Sequence, residues 1–373
     1  MSDERLLRTF LELVRIDSPS FSESAVAEYC SAHLRELGFE VTEDDSAAVT
    51  GSECGNLFAI LPGRVPGRRL AFSGHMDTVE PCRGIVPVVG EDRVVRSSGD
   101  TVLGGDDKAG VAAILEAMRR IVESGRPHAG LQVILSTDEE RGLVGAKAMD
   151  PAMVDADLVY VLDAAGDLGE LIASAPTQYQ FDARFVGTAA HAGVAPENGV
   201  SALHMAAEAV TAMELGRLDA GTTANIGTIH GGVDTNIVAA EATMTGECRS
   251  LDPVRVEQIK DAMDEAMRAA AERQGGSVEV AWRLAYRGYA VTEDDEVYRV
   301  ASRACADVGL EPRSRTTGGG SDANILAEAG VPVLALACAM RDVHSPAEYY
   351  RVDDLEMLAA LVEAIVGRAA GEA

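Results

Sequence analysis

The chain is predicted to be an α/β protein built on a mainly parallel sheet, with a smaller βαββαβ domain inserted into it. Three observations predict this. Short, non-alternating aliphatic runs at 70–73, 131–135, 158–162 and 331–338 have the composition of strands buried on both faces. Helix-period segments alternate with them, as in a sheet with helices on its faces. Between 176 and 286 the order changes to strand, helix, two strands, helix, strand, the split-βαβ pattern of a ferredoxin-like sandwich.

Taken in order, the first section opens with a helix reaching residue 37, whose apolar face starts at Leu6, Leu7, Phe10, Leu11 and Val14. A strand-like segment at 56–61 and the 70–73 run follow. Next come a helix over 109–124 and the runs 131–135 and 158–162. Within 176–286, strands are expected at 179–186, 223–229, 237–248 and 277–284, with helices at 200–215 and 254–273. After residue 289 the first pattern resumes: helix 294–308, the turn Gly318-Gly319-Gly320, helix 322–329, strand 331–338 and a terminal helix from 354. This gives a discontinuous domain, 1–175 with 287–373, around an insertion at 176–286.

Composition bounds the function. At 373 residues the chain suits two domains rather than one core. No apolar run approaches the roughly 20 residues of a membrane span, and the amino terminus has no export signal. A net charge of −28 without any basic stretch argues against nucleic acid. The six cysteines form no C-x-x-C pair, and reduced thiols point to the cytoplasm.

The chemistry lies at the strand ends. His75-Met76-Asp77, Asp106-Asp107, Glu139-Glu140, Asp163 and His344 each sit just past an aliphatic run or at the start of the next helix. In open α/β sheets ligands bind at the carboxyl ends of strands. Alone, each histidine is an ordinary strand-end residue and each acid a cap or a solvated charge. Together they form a nitrogen and oxygen donor set that suits zinc, cobalt or manganese.

The motifs His75-Met76-Asp77-Thr78-Val79, Gly104-Gly105-Asp106-Asp107-Lys108-Ala109-Gly110, Thr137-Asp138-Glu139-Glu140, Asp163 and His344-Ser345-Pro346 resemble, in order, those of the co-catalytic zinc exopeptidase and amidohydrolase family. Ala190-His191-Ala192-Gly193 and Gly318-Gly319-Gly320-Ser321-Asp322-Ala323-Asn324 are most similar to its peptidase T-like branch. The resemblance implies that Asp106 bridges two divalent ions, zinc first among them. His75 and Asp163 would complete one site, Glu140 and His344 the other, with a position left for a shared water. Asp77 would fix the His75 ring, and Glu139 would act as general base, moving a proton from the attacking water to the leaving amine. The family's cis peptide would fall at Asp106–Asp107.

The family further implies substrate contacts by His191, by Arg249 toward a peptide carboxylate, and by Asn236 and Gly319. An aspartate at 163 goes with its aminopeptidase members. The implied activity is therefore removal of residues from di- and tripeptides, with hydrolysis of N-acyl amino acids as the alternative. A non-catalytic binding protein is argued against by the complete ligand set. The insertion would be a lid and dimerisation domain, giving a homodimer, with His191 acting either in its own chain's active site or in the partner's.

Overall fold

The computed structural model describes residues 2–370. Two compact units divide it: Met1–Ala173 with Ala290–Thr316 and Ser321–Ala373, and Ser174–Tyr289 with Thr317–Gly320. The glycine run thus groups with the second unit, although the sequence places it in the first domain.

The main sheet runs from edge to edge through Glu40–Glu43, Leu57–Pro62, Gly130–Ser136, Leu70–His75, Leu158–Ala164, Val333–Ala337, Glu170–Ala175 and Tyr289–Ala290, and Arg313–Thr316 pairs with Glu170–Ala175. The four central strands, Gly130–Ser136 through Val333–Ala337, are mutually parallel, while the flanking pairs are antiparallel. Their side chains are buried almost throughout, which is why their sequences do not alternate. Parallel pairing brings all four carboxyl ends to one edge. Helix Gly105–Ser124 packs beside them, itself buried over most of its length. It is tied to its neighbours by Glu116, a buried carboxylate that accepts from Arg5 Nε and Nη2 at 2.8 Å each and from Arg120 Nε at 2.7 Å.

The sequence expects one helix up to residue 37, but the structure has two, Ser2–Val14 and Ser24–Glu36. Pro19 explains the break: it has no N–H to donate, and it disfavours helical geometry at Ser18. A three-stranded sheet of Tyr349–Arg351, Val94–Ser97 and Pro87–Val89 was not anticipated either.

The second unit carries an antiparallel sheet in the order Gly216–Asp219, Thr222–Gly231, Glu241–Ser250, Thr177–Val186, Ser277–Tyr286. Numbered within the βαββαβ unit, the last four strands run 2-3-1-4. The sequence expects four strands here; the fifth, Gly216–Asp219, is too short to show alternation. Helix Ala202–Ala212 is capped by Ser201, which accepts from His204 N at 3.3 Å, and helix Pro253–Arg273 by Asp252, which accepts from Val254 N at 2.8 Å. Both pack on one face of the sheet over Phe181, Phe185, Met205, Met244, Met263 and Met267. The opposite face carries charge, with Arg184 on Glu241 at 2.6 Å and Arg283 on Asp182.

Candidate dimetal centre

Each acidic or histidine motif of the first unit arrives at the shared sheet edge by a different route. His75 is the last residue of its strand. Asp163 lies inside Leu158–Ala164, because that strand runs two residues beyond its predicted end. Glu139 and Glu140 follow Gly130–Ser136 in a turn that starts from Asp138 at φ +51° and is closed by Gly142 N and Leu143 N donating to Glu139 O at 2.9 and 2.7 Å. Asp106 stands in the first turn of Gly105–Ser124 with non-helical φ −85° and ψ 106°, and its peptide to Asp107 is cis. His344 follows Val333–Ala337 at φ +61°.

The atoms converge on Asp106. Its Oδ1 lies 3.2 Å from His75 Nε2, and its Oδ2 lies 3.2 Å from His344 Nε2. Asp163 Oδ1 is 3.7 Å from His75 Nε2, and Glu140 Oε1 is 3.0 Å from His344 Nε2. Two ligand atoms about 2.0–2.2 Å from a tetrahedral ion are about 3.3–3.6 Å apart. The observed spacings, from 3.0 to 3.7 Å, bracket that range, whereas a direct charge-assisted hydrogen bond closes to about 2.7–2.9 Å. Glu140 Oε1 is buried, with the His344 ring nitrogen as the group that faces it. The triplets His75, Asp106, Asp163 and Asp106, Glu140, His344 each bring their donor atoms within 4.8 Å of one another, as do His75, Glu139 and Glu140. The donors therefore fit two divalent ions.

Asp77 organises this edge. Its Oδ1 sits 3.2 Å from His75 Nδ1 and accepts from Glu139 N at 3.0 Å, while its Oδ2 accepts from Ser20 Oγ at 2.6 Å and from Glu140 N at 3.3 Å. One fully buried carboxylate thus orients the ring and the backbone of both glutamates. Asp107 turns away from the cluster's centre: its Oδ2 accepts from His75 N at 3.2 Å. Lys108, also buried, donates to Ser18 Oγ at 2.8 Å and Thr78 Oγ1 at 2.5 Å.

Burial pushes the carboxyl of Asp163 up to about 7 and that of Asp322 up to about 6. It likewise holds Glu139 well above the usual carboxylate range, helped by the charge of Asp163. Asp106 behaves oppositely. Burial acts against its charge, but hydrogen bonds from His344 and His75 outweigh that and leave its carboxyl below the ordinary value. Hydrogen bonding to Asp106 and Glu140 raises His344 to about 10.

Several supporting residues escaped the sequence. Ser20 was hidden inside a predicted helix. Asp322, at the start of Asp322–Glu328, accepts from Ser136 Oγ, and Glu23 accepts from Asp138 N at 3.1 Å and from Ser52 Oγ at 2.7 Å. Glu348 receives three backbone N–H groups. Its four-residue offset from His344 was the available signal.

The expected substrate residues lie in the second unit. His191 and Asn236 are exposed on adjoining loops, joined by Ala192 N donating to Asn236 O at 2.9 Å. Gly319 N donates to Thr317 Oγ1 at 3.2 Å. Arg249 Nε and Nη2 donate to Glu247 at 3.0 and 2.8 Å, and its Nη1 donates to Gly318 O at 3.2 Å and Tyr286 Oη at 3.3 Å. Through Gly318 O the guanidinium also reaches the glycine loop. A Cβ on Gly320 would meet the Tyr286 ring at 2.4 Å, so that loop also needs its glycine for space.

Comparison with known proteins agrees with this construction. Residues 71–368 match the model of the peptidase family M20/M25/M40. Uncharacterized protein YqjE of Bacillus subtilis is 41% identical over 99% of this chain and 100% of its own. The crystal structure of aminopeptidase PepT from Bacillus cereus superposes with a TM-score of 0.91 at 41% identity, covering 99% of each chain. A tripeptidase structure from Staphylococcus aureus gives 0.96 at 37% identity, again over 99% of each. The chain belongs to the peptidase family M20/M25/M40, as a peptidase T-like metallopeptidase.

Proposed function

We propose that this protein is a two-metal aminopeptidase that releases the first residue of tripeptides and dipeptides. The carboxylate of Asp106, with one oxygen toward each histidine at 3.2 Å, carries the reading. In it, His75 and Asp163 would hold one ion, Glu140 and His344 the other, and Asp106 would serve both. Zinc suits these donors best, with cobalt and manganese as alternatives. Bound there, two divalent ions would polarise the scissile carbonyl and make a water acidic enough to attack it near neutral pH.

The protein's own groups do the rest. Glu139, only 9% exposed beside the cluster, accepts the proton of the attacking water and returns it to the departing amine. Asp77 keeps His75 in one orientation and holds the Glu139 amide, so base and ligand share one support. His191, Asn236 and Gly319 contact the peptide, with Arg249 bracing the loop that carries Gly319. Short peptides are favoured because relatives at 41% and 37% identity over nearly the whole chain are an aminopeptidase and a tripeptidase. Six free, buried cysteines fit a reducing cytoplasm.

The test is a panel of tripeptides, dipeptides and N-acyl amino acids offered to chelator-treated protein before and after adding Zn2+, Co2+ or Mn2+. Metal-restored release of amino-terminal residues from the peptides is expected. Turnover confined to N-acyl amino acids would replace this reading with the amidohydrolase one.

A further inference from the structure

Glu348 is 2% exposed and carries no role in the chemistry so far described. Its Oε2 accepts from Leu103 N and Gly104 N at 2.8 Å each, and its Oε1 accepts from Asp106 N at 3.0 Å. One carboxylate therefore closes the turn that leads into helix Gly105–Ser124. Burying an anion is costly unless such donors compensate it. The fit leaves little freedom: a Cβ on Gly105 would stand 3.0 Å from Glu348 Oε1.

The short turn that bears Glu348 also carries His344, with Glu348 N donating to Ser345 O at 3.0 Å. Asp106 is thus gripped twice from one segment, by its side chain through His344 Nε2 and by its main chain through Glu348. Asp106 has the non-helical backbone φ −85°, ψ 106° inside the first helical turn. Without the clamp, those three N–H groups, which have no intrahelical acceptor at a helix start, would lose their buried partner, and the turn would be free to shift and rotate the carboxylate away from its two-sided pose.

We propose that Glu348 is a positioning residue that fixes the main chain of Asp106, and so sets the spacing at which two ions are held together. This rests on the two-metal reading above. The experiment measures stepwise metal uptake by calorimetry and elemental analysis on the metal-free full chain, and thermal unfolding with and without Zn2+. It uses wild type, Glu348→Gln, Glu348→Asp and, as a control, Glu116→Gln, which weakens a buried ion-pair knot remote from the cluster.

Loss of a supporting hydrogen bond commonly weakens metal binding by about 10–100-fold. Glu348→Gln is expected to weaken one of the two binding steps by that factor and to shrink the Tm increase on adding Zn2+. Glu348→Asp, which keeps both acceptors on a shorter stem, should fall in between. Glu116→Gln should lower Tm equally with and without metal and leave both affinities intact. Wild-type affinities in both Glu348 variants, or a Tm loss equal in the metal-free and metal-loaded forms, would overturn the proposal. A wild-type chain that binds fewer than two ions would instead sink the two-metal reading itself.

Discussion

Glu139 and Glu140 are neighbours with different surroundings, and that difference separates base from ligand. Glu140 Oε1 faces His344, while Glu139 is held high by burial and by the charge of Asp163. Glu139→Gln should therefore keep both metals and lose about 10²–10⁴-fold in kcat, since an amide cannot take the proton; near-normal kcat in a metal-replete variant would remove Glu139 from the role. Asp106 and Asp107 separate in the same way. Asp106→Ala should empty both sites, whereas Asp107→Ala, which loses a bond to the His75 amide, should retain metal but lower stability; elemental analysis distinguishes them. Arg249→Ala should raise KM comparably for free peptides and their carboxy-terminal amides, because its fork is already filled by Glu247. A rise confined to the free peptides would return a substrate carboxylate to this arginine. The motif residues were legible because each sits within a few residues of an aliphatic strand or helix start. The supporting roles of Ser20, Asp322 and Glu348 were not, although Asp322 stands in a recognised motif and Glu348 four residues after His344, because their partners lie 57, 186 and more than 240 residues away.

At the scale of elements, the approach of helix Gly105–Ser124 to strand Leu158–Ala164 decides whether the cluster assembles. Gly110 is the point of contact. A Cβ there would stand 2.4 Å from Leu162 O and 2.3 Å from Asp107 Oδ1, and neither the strand backbone nor a buried carboxylate can move aside cheaply. Alanine gains about 1 kcal/mol of helix propensity over glycine, yet overpacking of this kind costs about 1–3 kcal/mol and sometimes more. Gly110→Ala is thus expected to lower Tm despite the better helix former and to weaken metal binding, since Asp163 follows Leu162 directly; an unchanged or higher Tm would show that the helix can shift. Long, buried elements were legible from composition alone. Gly216–Asp219 and Pro87–Val89 were not, for strands of three or four residues are too short to show a period.

For the whole molecule, the open question is what meets the second unit's sheet. Its outer face needs no cover, because Arg184, Glu241, Asp182 and Arg283 already solvate it with ion pairs. The edge is different. Among the described residues, the ten-residue strand Ser277–Tyr286 ends its sheet and pairs with Thr177–Val186, and long sheet edges invite pairing with another chain. A two-fold antiparallel match of this strand with its counterpart would satisfy both copies at once, and we predict a homodimer formed through residues 176–286. With a net charge of −28 per chain, two copies repel, so the dimer should tighten as salt rises from low to physiological strength. The ends of the segment meet, Gly288 N donating to Thr177 Oγ1 at 2.8 Å, so a short linker can replace it without stretching the remainder. Light scattering on the full chain across a salt series, and on the deletion variant, tests the arrangement. A dimer that becomes a monomer on deletion is expected, and a monomeric full chain at every salt concentration, or a deletion variant that stays dimeric, would refute it.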